Sequence, residues 1–491
     1  MVRKRRSVPM KANLRACVSM IVPMLVLLPR TWGMIHSLVI SKDTRRMFQI
    51  ESFGFREGGS MNLTVSDFSI EGPETYRAGF VVTKTSTESS AQEELEDALE
   101  GGSENGDGVE DGCLLDIEGA TDLVLDVSDR STWERGTQAS RTVEPGQQGL
   151  YVLYFCSCPG YAGEGRNLGG VFASKREGAG GEGEHSVTFK LRVAFWNNGV
   201  GGERDYLSAG KEVLPKLFLG MFGLFFAALL AWVQCLRRHT VHVHHIHHMM
   251  TVLLVFKTLS MLFESIRYHY LRLTGAAEAW SIVYYLFAFL KGITLFVVVL
   301  LIGTGWSLIK PFLNKKDKQI ILVVLSLQVV NNVAQIVLEE TAPGSLMWLK
   351  WRNVLHVVDI VCCCSILMPI MWSIKHLRQA ALADGKAENT IRRLNVFRHF
   401  YKMVLIYVYF TRIVLVLLSA MLPFELKWLE QLSAELATLV FFVLTGWRFR
   451  PQPEAPYLPI SRDRDEGGIG DHREGQGNME LQALHRESSG T

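Results

Sequence analysis

Charge is what this chain has little of. Asp, Glu, Lys and Arg supply 20% of its 491 residues, below the roughly 25% of soluble proteins, while apolar residues reach 48%. The deficit is local: most acids lie in 1–213 and 450–491, and 214–448 is a series of long apolar runs. Net charge is only +2, from 51 basic and 49 acidic side chains, which excludes a globally basic nucleic-acid binder and a disordered acidic protein. Eight cysteines are too few for a disulfide scaffold of this length. No nucleophile elbow, phosphate loop or metalloprotease helix occurs, so neither enzyme activity nor a cofactor is expected. What fits is an integral membrane protein with a sizeable domain outside the bilayer.

Residues 1–33 read as a secretory signal. Arg3, Lys4, Arg5 and Arg6 open it, 16–28 is apolar but too short to span, and Thr31 and Gly33 are small enough for cleavage. A retained signal anchor is the alternative. Between 34 and 213 the pattern changes to short alternating runs, among them IHSLVI, FQIESF, SMNLTVSDF, YRAGFVV, GLYVLYF and HSVTFKLRVAF. Alternation with no helical period predicts an antiparallel β-sandwich with one face of each sheet buried. An acidic, Gly/Ser-rich insertion at 86–112 and a Gly-rich run at 178–183 read as disordered loops. The acidic one lacks the ligand spacing of an EF-hand.

Cys113, Cys156 and Cys158 lie in this domain, where an oxidising lumen permits pairing. Cys113 can pair with either of the others. Cys156 and Cys158 alternate along one strand face, a poor geometry for bonding to each other. Asn62-Leu63-Thr64 is a glycosylation sequon.

Seven apolar segments follow, at 214–236, 248–266, 280–306, 319–338, 353–374, 402–422 and 427–447, each long enough to span a bilayer. Basic residues orient them. Arg237 and Arg238, then Lys310, Lys315, Lys316 and Lys318, then Lys375, Arg378, Lys386, Arg392, Arg393, Arg398 and Lys402 follow the first, third and fifth segments. The opposite side carries only Arg267, Arg272, Lys350, Arg352 and Lys427. Thirteen against five puts the first set in the cytosol and the N-terminal domain in the lumen or outside the cell.

Ionisable residues inside the segments are costly there and should face one another or a wet cavity. They are Lys257, Glu264, Lys291, Asp359, Arg412 and Glu435, with balanced signs. Their positions predict a polar pocket open toward the lumenal domain, which Asn331, Asn332 and Gln335 could also line. Ion pairs that only fix helix register are the alternative. A retinal-type Schiff base on Lys257 or Lys291 is disfavoured because neither lies on the last segment.

Cys362, Cys363 and Cys364 splay about 100° apart on a helix and read as small packing residues. His239, His242, His244, His245, His247 and His248 fall between the first two segments. His244 and His248, or His245 and His248, have metal-ligand spacing, but no carboxylate or thiol is near, so interfacial histidines are expected and no metal. The tail at 449–491 reads as disordered, and Tyr457-Leu458-Pro459-Ile460 has the form of a tyrosine sorting signal on Tyr457 and Ile460.

Several stretches resemble the lung seven-transmembrane receptor family, the Golgi-dynamics-domain seven-helix proteins. They are IHSLVISKDTRRMFQIESFGFREGGSMNLTVSDF, YLSAGKEVLPKLF, FKTLSMLFESIRYHY, YYLFAFLKGITLF, DIVCCCSILMPIMWSIKHLRQA, FRHFYKMVLIYVYFTRI and ELATLVFFVLTGWRFRPQPEAPYLPI, in the family's order. The resemblance implies a lumenal GOLD-like all-β sandwich followed by an all-α seven-helix bundle. It also implies residence in Golgi and endosomal membranes and a role in membrane-protein trafficking as a cargo or lipid receptor. Lys257, Lys291, Asp359, Arg412 and Glu435 fall where that family has its intramembrane polar residues. Expected partners are membrane lipid in the bundle, protein cargo at the lumenal domain, and clathrin adaptors or a G protein on the cytosolic side, with no nucleic acid. A signalling receptor is the first alternative, although GTGWSLIK and LTGWRF replace the rhodopsin-like motifs that end the third and seventh helices. A cation channel or lipid transporter is the second.

Overall fold

The computed structural model describes residues 35–45, 47–71, 76–85, 123–126, 137–159, 186–199, 201–303, 315–341 and 399–451, with scattered positions between 345 and 361. The signal segment, the acidic insertion, Cys113, Asp359, the cysteine triplet, Tyr457 and Ile460 lie outside them.

Nine strands come first: β1 Ile35–Asp43, β2 Met47–Phe55, β3 Ser60–Glu71, β4 Tyr76–Thr85, β5 Leu123–Asp126, β6 Thr137–Thr142, β7 Gly149–Pro159, β8 Ser186–Asn198 and β9 Arg204–Asp205. All pairings are antiparallel. One sheet runs β1-β8-β3-β6, with β9 on β8, and the other runs β2-β7-β4-β5. Val187, Phe189, Leu191, Val193 and Phe195 of β8 point inward, as period-two alternation requires. Rings from the two sheets interdigitate: Phe189 of β8 meets Phe155 of β7 at 4.9 Å and Phe80 of β4 at 5.3 Å, and Phe53 of β2 meets Phe195 at 5.4 Å. This is the β-sandwich that the alternation predicts.

Two details depart from the sequence reading. β6, TQASRT, carries no apolar alternation and gives no strand signal. In β7 both faces are buried: Tyr151, Leu153 and Phe155 join the core, while Val152, Tyr154 and Cys156 on the opposite face are equally inaccessible. A continuous apolar run is the mark of a strand covered on both sides.

The helices are α1 Leu214–Arg238, α2 His245–Thr274, α3 Glu278–Gly303, α4 Lys315–Glu340, α5 His399–Met421 and α6 Trp428–Arg448. Among the described residues these are the six helices long and apolar enough to cross a membrane. They match the first four and last two apolar segments, and most of the fifth segment lies outside the described residues. Left-handed Gly275 (φ +72°) ends α2, a conformation a side chain would disfavour. A π-turn at Phe410–Val414 interrupts α5.

The sandwich docks on one end of the bundle. Asp205 pairs with Arg272 at the end of α2 (2.7 Å), and Arg56 pairs with Glu212 ahead of α1 (2.7 Å). Buried Asn197 accepts from the Arg56 amide (2.8 Å) and donates to the Gly54 and Leu207 carbonyls. The turn before α6 packs so closely that a Cβ on Gly210 would stand 1.9 Å from the Phe424 carbonyl oxygen.

Candidate functional site

Lys257, Glu264 and Ser260 share one face of α2, spaced three to four residues apart, and all three are buried. Lys257 is 2% exposed and forms a direct ion pair with Glu435 of α6. Its ammonium also stands 5.2 Å from the centre of the Phe225 ring of α1. Glu264 and Lys291 lie within electrostatic range of this pair and of each other. Four of the six ionisable residues singled out in the sequence thus form one cluster.

Lys291 also borders a cavity of about 260 Å3 between α3, α4 and α5. Gln328, Asn331, Asn332, Gln335 and Glu339 reach it from α4, at spacings that keep them on one face. Tyr284, Tyr285 and Gly292 reach it from α3, and Tyr407 and Arg412 from α5. Gly292 lets α4 come close, since a Cβ there would lie 3.0 Å from Asn332 Oδ1. Gln328 Nε2 donates to Asn332 Oδ1 at 3.2 Å. Gln328 Oε1, Asn331 Oδ1 and Asn332 Nδ2 are buried with no hydrogen-bond partner among the described residues. In a low-dielectric interior each such atom costs about 1–3 kcal/mol.

At the sandwich end the cavity is bordered by a polar knot. Arg267 donates to Tyr285 Oη (2.7 Å) and Ser281 Oγ (3.0 Å) and pairs with Glu339, and Tyr285 Oη donates to Glu339 Oε2 (3.1 Å). Arg412 sits in the π-turn of α5, a local widening that recurs at functional sites. Below it Tyr407 stacks on Phe441 with centroids 4.5 Å apart.

The pocket read from sequence is therefore a Lys257–Glu435 ion pair with Glu264 and Lys291 beside it, and Lys291 also borders the cavity that holds Arg412 and the amides. Asn331, Asn332 and Gln335 do line that cavity. Gln328 escaped the sequence reading, although it shares the α4 face of the other amides. Tyr285 and Glu339 were also missed. Arg267, counted as a loop charge, belongs to α2.

The histidine segment is a correction. His245, His247 and His248 lie inside α2, which begins earlier than its apolar run suggests. His247 is fully buried; its Nδ1 accepts from the His244 amide, and its Nε2 reaches the Phe449 carbonyl at 2.9 Å. It is a structural link between α2 and the end of α6. No group of three His, Cys, Asp or Glu able to hold a metal occurs among the described residues. Phe449, assigned to the disordered tail from sequence, is fully buried against Phe400 (5.2 Å).

In the sandwich, Asn62 lies on β3 between β6 and β8, on the face away from the core, and its Oδ1 accepts from Gln138 Nε2 (3.0 Å). Cys156 is a buried free thiol, and burial pushes it up to about 12. Its expected partner Cys113 lies outside the described residues, and of Cys158 only its place in β7 is described.

The GOST seven-transmembrane domain family matches residues 213–456, which span the whole helical part. The chain is 31% identical over 434 residues to a protein of Arabidopsis thaliana named candidate G-protein coupled receptor 6, covering 88% of this chain and 93% of that protein. Sandwich, apolar helices, domain match and full-length similarity agree: the chain belongs to the GOST, or lung seven-transmembrane receptor, family of multi-pass membrane proteins.

Proposed function

We propose that the protein serves membrane-protein trafficking in the Golgi and endosomal system, as a receptor for cargo or lipid whose polar group enters the cavity between α3 and α4. The observation that carries this reading is the set of amide atoms on Gln328, Asn331 and Asn332 that have no partner among the described residues, beside Lys291 and Arg412. A site that leaves donors and acceptors idle in a membrane interior regains their cost when a polar ligand completes them. The sandwich, docked through Asp205, Arg272, Arg56 and Glu212, supplies a rigid lumenal recognition surface in the orientation that the basic residues favour. Signal removal, glycosylation at Asn62 and recycling through Tyr457 and Ile460 belong to the same reading.

The test is to purify the wild type and a Lys291→Ala/Arg412→Ala variant in nanodiscs, identify co-purifying molecules by mass spectrometry, and locate the tagged protein against Golgi and endosomal markers. A polar or amphiphilic molecule retained by the wild type and lost from the variant is expected, with Golgi residence. Equal retention by both removes the cavity from the function, and plasma-membrane residence alone removes the trafficking role. A signalling receptor is the second reading, favoured by the name of the Arabidopsis relative. Ligand-dependent nucleotide exchange on a reconstituted G protein would favour it.

A further inference from the structure

We infer that Cys235 is an S-acylation site and that its acyl chain lies in a second, apolar cavity at the end of the bundle away from the sandwich. This cavity, about 320 Å3, is lined by α1, α2, α3, α5 and α6 and shares no residue with the polar one. Its volume falls within the range of small-ligand sites, about 300–1,000 Å3. Cys235 lines it from the last turn of α1 as a half-buried free thiol.

Two features place that thiol at the bilayer boundary. Arg237 and Arg238 end α1 within the same turn, and Arg450 stacks over the exposed Trp447 ring at 4.3 Å. Tryptophan and arginine together mark the membrane interface, and a juxtamembrane cysteine on the cytosolic side meets the requirement for S-acylation. The basic-residue asymmetry assigns this end to the cytosol.

An independent feature points to a ligand inside. Thr445 of α6 lines the same cavity and is 6% exposed, yet its hydroxyl has no hydrogen-bond partner among the described residues. A thioester carbonyl brought in on Cys235 supplies an acceptor, while the methylene chain covers apolar walls such as Leu253, Val298 and Phe441. Small residues on the facing helices, Ala228 and Ala231 of α1 and Gly446 of α6, leave room between them. Tethering makes entry of this chain intramolecular, which favours it over a free lipid tail of the same length.

The reaction is acyl exchange. The Cys235 thiolate attacks the carbonyl carbon of a long-chain acyl-coenzyme A, the bond from that carbon to the coenzyme A sulfur breaks, and coenzyme A leaves as a thiol with the proton that Cys235 gave up. Nothing is oxidised or reduced.

The test uses the full-length protein from cells fed an alkynyl fatty acid. Hydroxylamine-sensitive label is expected on the peptide that contains Cys235, and its loss is expected in Cys235→Ser purified in equal yield. Absence of such label in the wild type, or label undiminished in Cys235→Ser, overturns the assignment. In pulse–chase, Ala231→Phe narrows the cavity mouth and should shorten the lifetime of the label. An unchanged lifetime in Ala231→Phe and in a second variant, Thr445→Val, overturns the seating of the chain in the cavity. These outcomes do not depend on the polar cavity or its ligand.

Discussion

The two halves of the molecule both bury aromatic clusters but differ in the polar groups they enclose. The sandwich core is aromatic: Phe53, Phe55, Phe80, Phe155, Phe189 and Phe195 touch ring to ring, and the buried amide of Asn197 is fully hydrogen-bonded at the edge. The bundle core adds to its apolar clusters a lysine, a glutamate and three amides, several with atoms that have no partner among the described residues. In water, burying apolar rings is itself the driving force. Between helices already surrounded by lipid it is not, because lipid tails are as apolar as leucine. Polar groups inside the bundle therefore stand out as costs that only pairing or a ligand can offset, whereas aromatic residues in the sandwich need no further reason.

The difference should be easiest to break in the sandwich core. Phe155→Ala empties its centre and should cost about 3–5 kcal/mol. Hydrogen exchange should then speed up throughout β2, β4, β7 and β8 while the inner turns of α2 and α3 keep their protection. Equal loss in both halves would mean that they unfold as one unit, whatever their interiors are made of. Lys257→Met tests the bundle in the same way. It strands the Glu435 carboxylate, and breaking a buried pair should cost about 3 kcal/mol, the low end of the usual range because polar contacts between membrane helices run weak. Thermal melting in nanodiscs should show the loss, and the double variant Lys257→Met/Glu435→Leu should recover most of it. A double variant no better than the single one would show that Glu435 was not the problem.

A smaller effect, of opposite sign, sharpens the contrast. Asn331→Leu removes a buried acceptor that has no partner among the described residues, so the stability of the ligand-free protein should rise by about 1 kcal/mol, seen as a higher melting temperature. The same change in the sandwich, Asn197→Leu, should destabilise because every Asn197 partner is in place. A fall in both would mean that Asn331 has a partner when the protein sits in a bilayer.

How much of this was legible in the sequence follows the same division. Period-two alternation in β3 and β8 and the long apolar runs of α1 to α4 announce themselves, since one buried face or one lipid-facing surface sets each residue type. β6 does not, because its pairing with β3 rests on backbone hydrogen bonds that TQASRT makes without apolar side chains. The start of α2 was hidden by histidines, which belong to the helix because His247 is spent on a tertiary contact to Phe449. The charges of the site were legible as expensive residues. Which of them would pair was not, since Lys257 meets Glu435 across 178 positions of chain and only packing selects that partner over Glu264. Gln328 could have been found by extending the face of Asn331, Asn332 and Gln335 one turn back.

The smallest effect separates the sandwich from the bundle by pH. Asp43 ends β1 almost fully buried, which by itself raises its carboxyl, but Arg45 more than offsets this. The guanidinium and the Arg45 amide both donate to it (2.5–3.1 Å), and the net result is a carboxyl held below its ordinary value. A group depressed in the folded state adds stability that is fully present above the unfolded value, about 3.9, and is lost as pH falls through the folded one. Between pH 5 and 7 the wild type should therefore melt above Asp43→Asn by a constant margin, and the margin should close only below about pH 4. Arg45 also covers the Phe48 ring at 4.2 Å, so Arg45→Lys should lose part of the margin and, with the carboxyl less depressed, finish closing it at a higher pH than the wild type. A margin that instead widens on acidification would mean that Asp43 binds its proton more tightly in the folded sandwich than in the unfolded chain, and that burial outweighs Arg45.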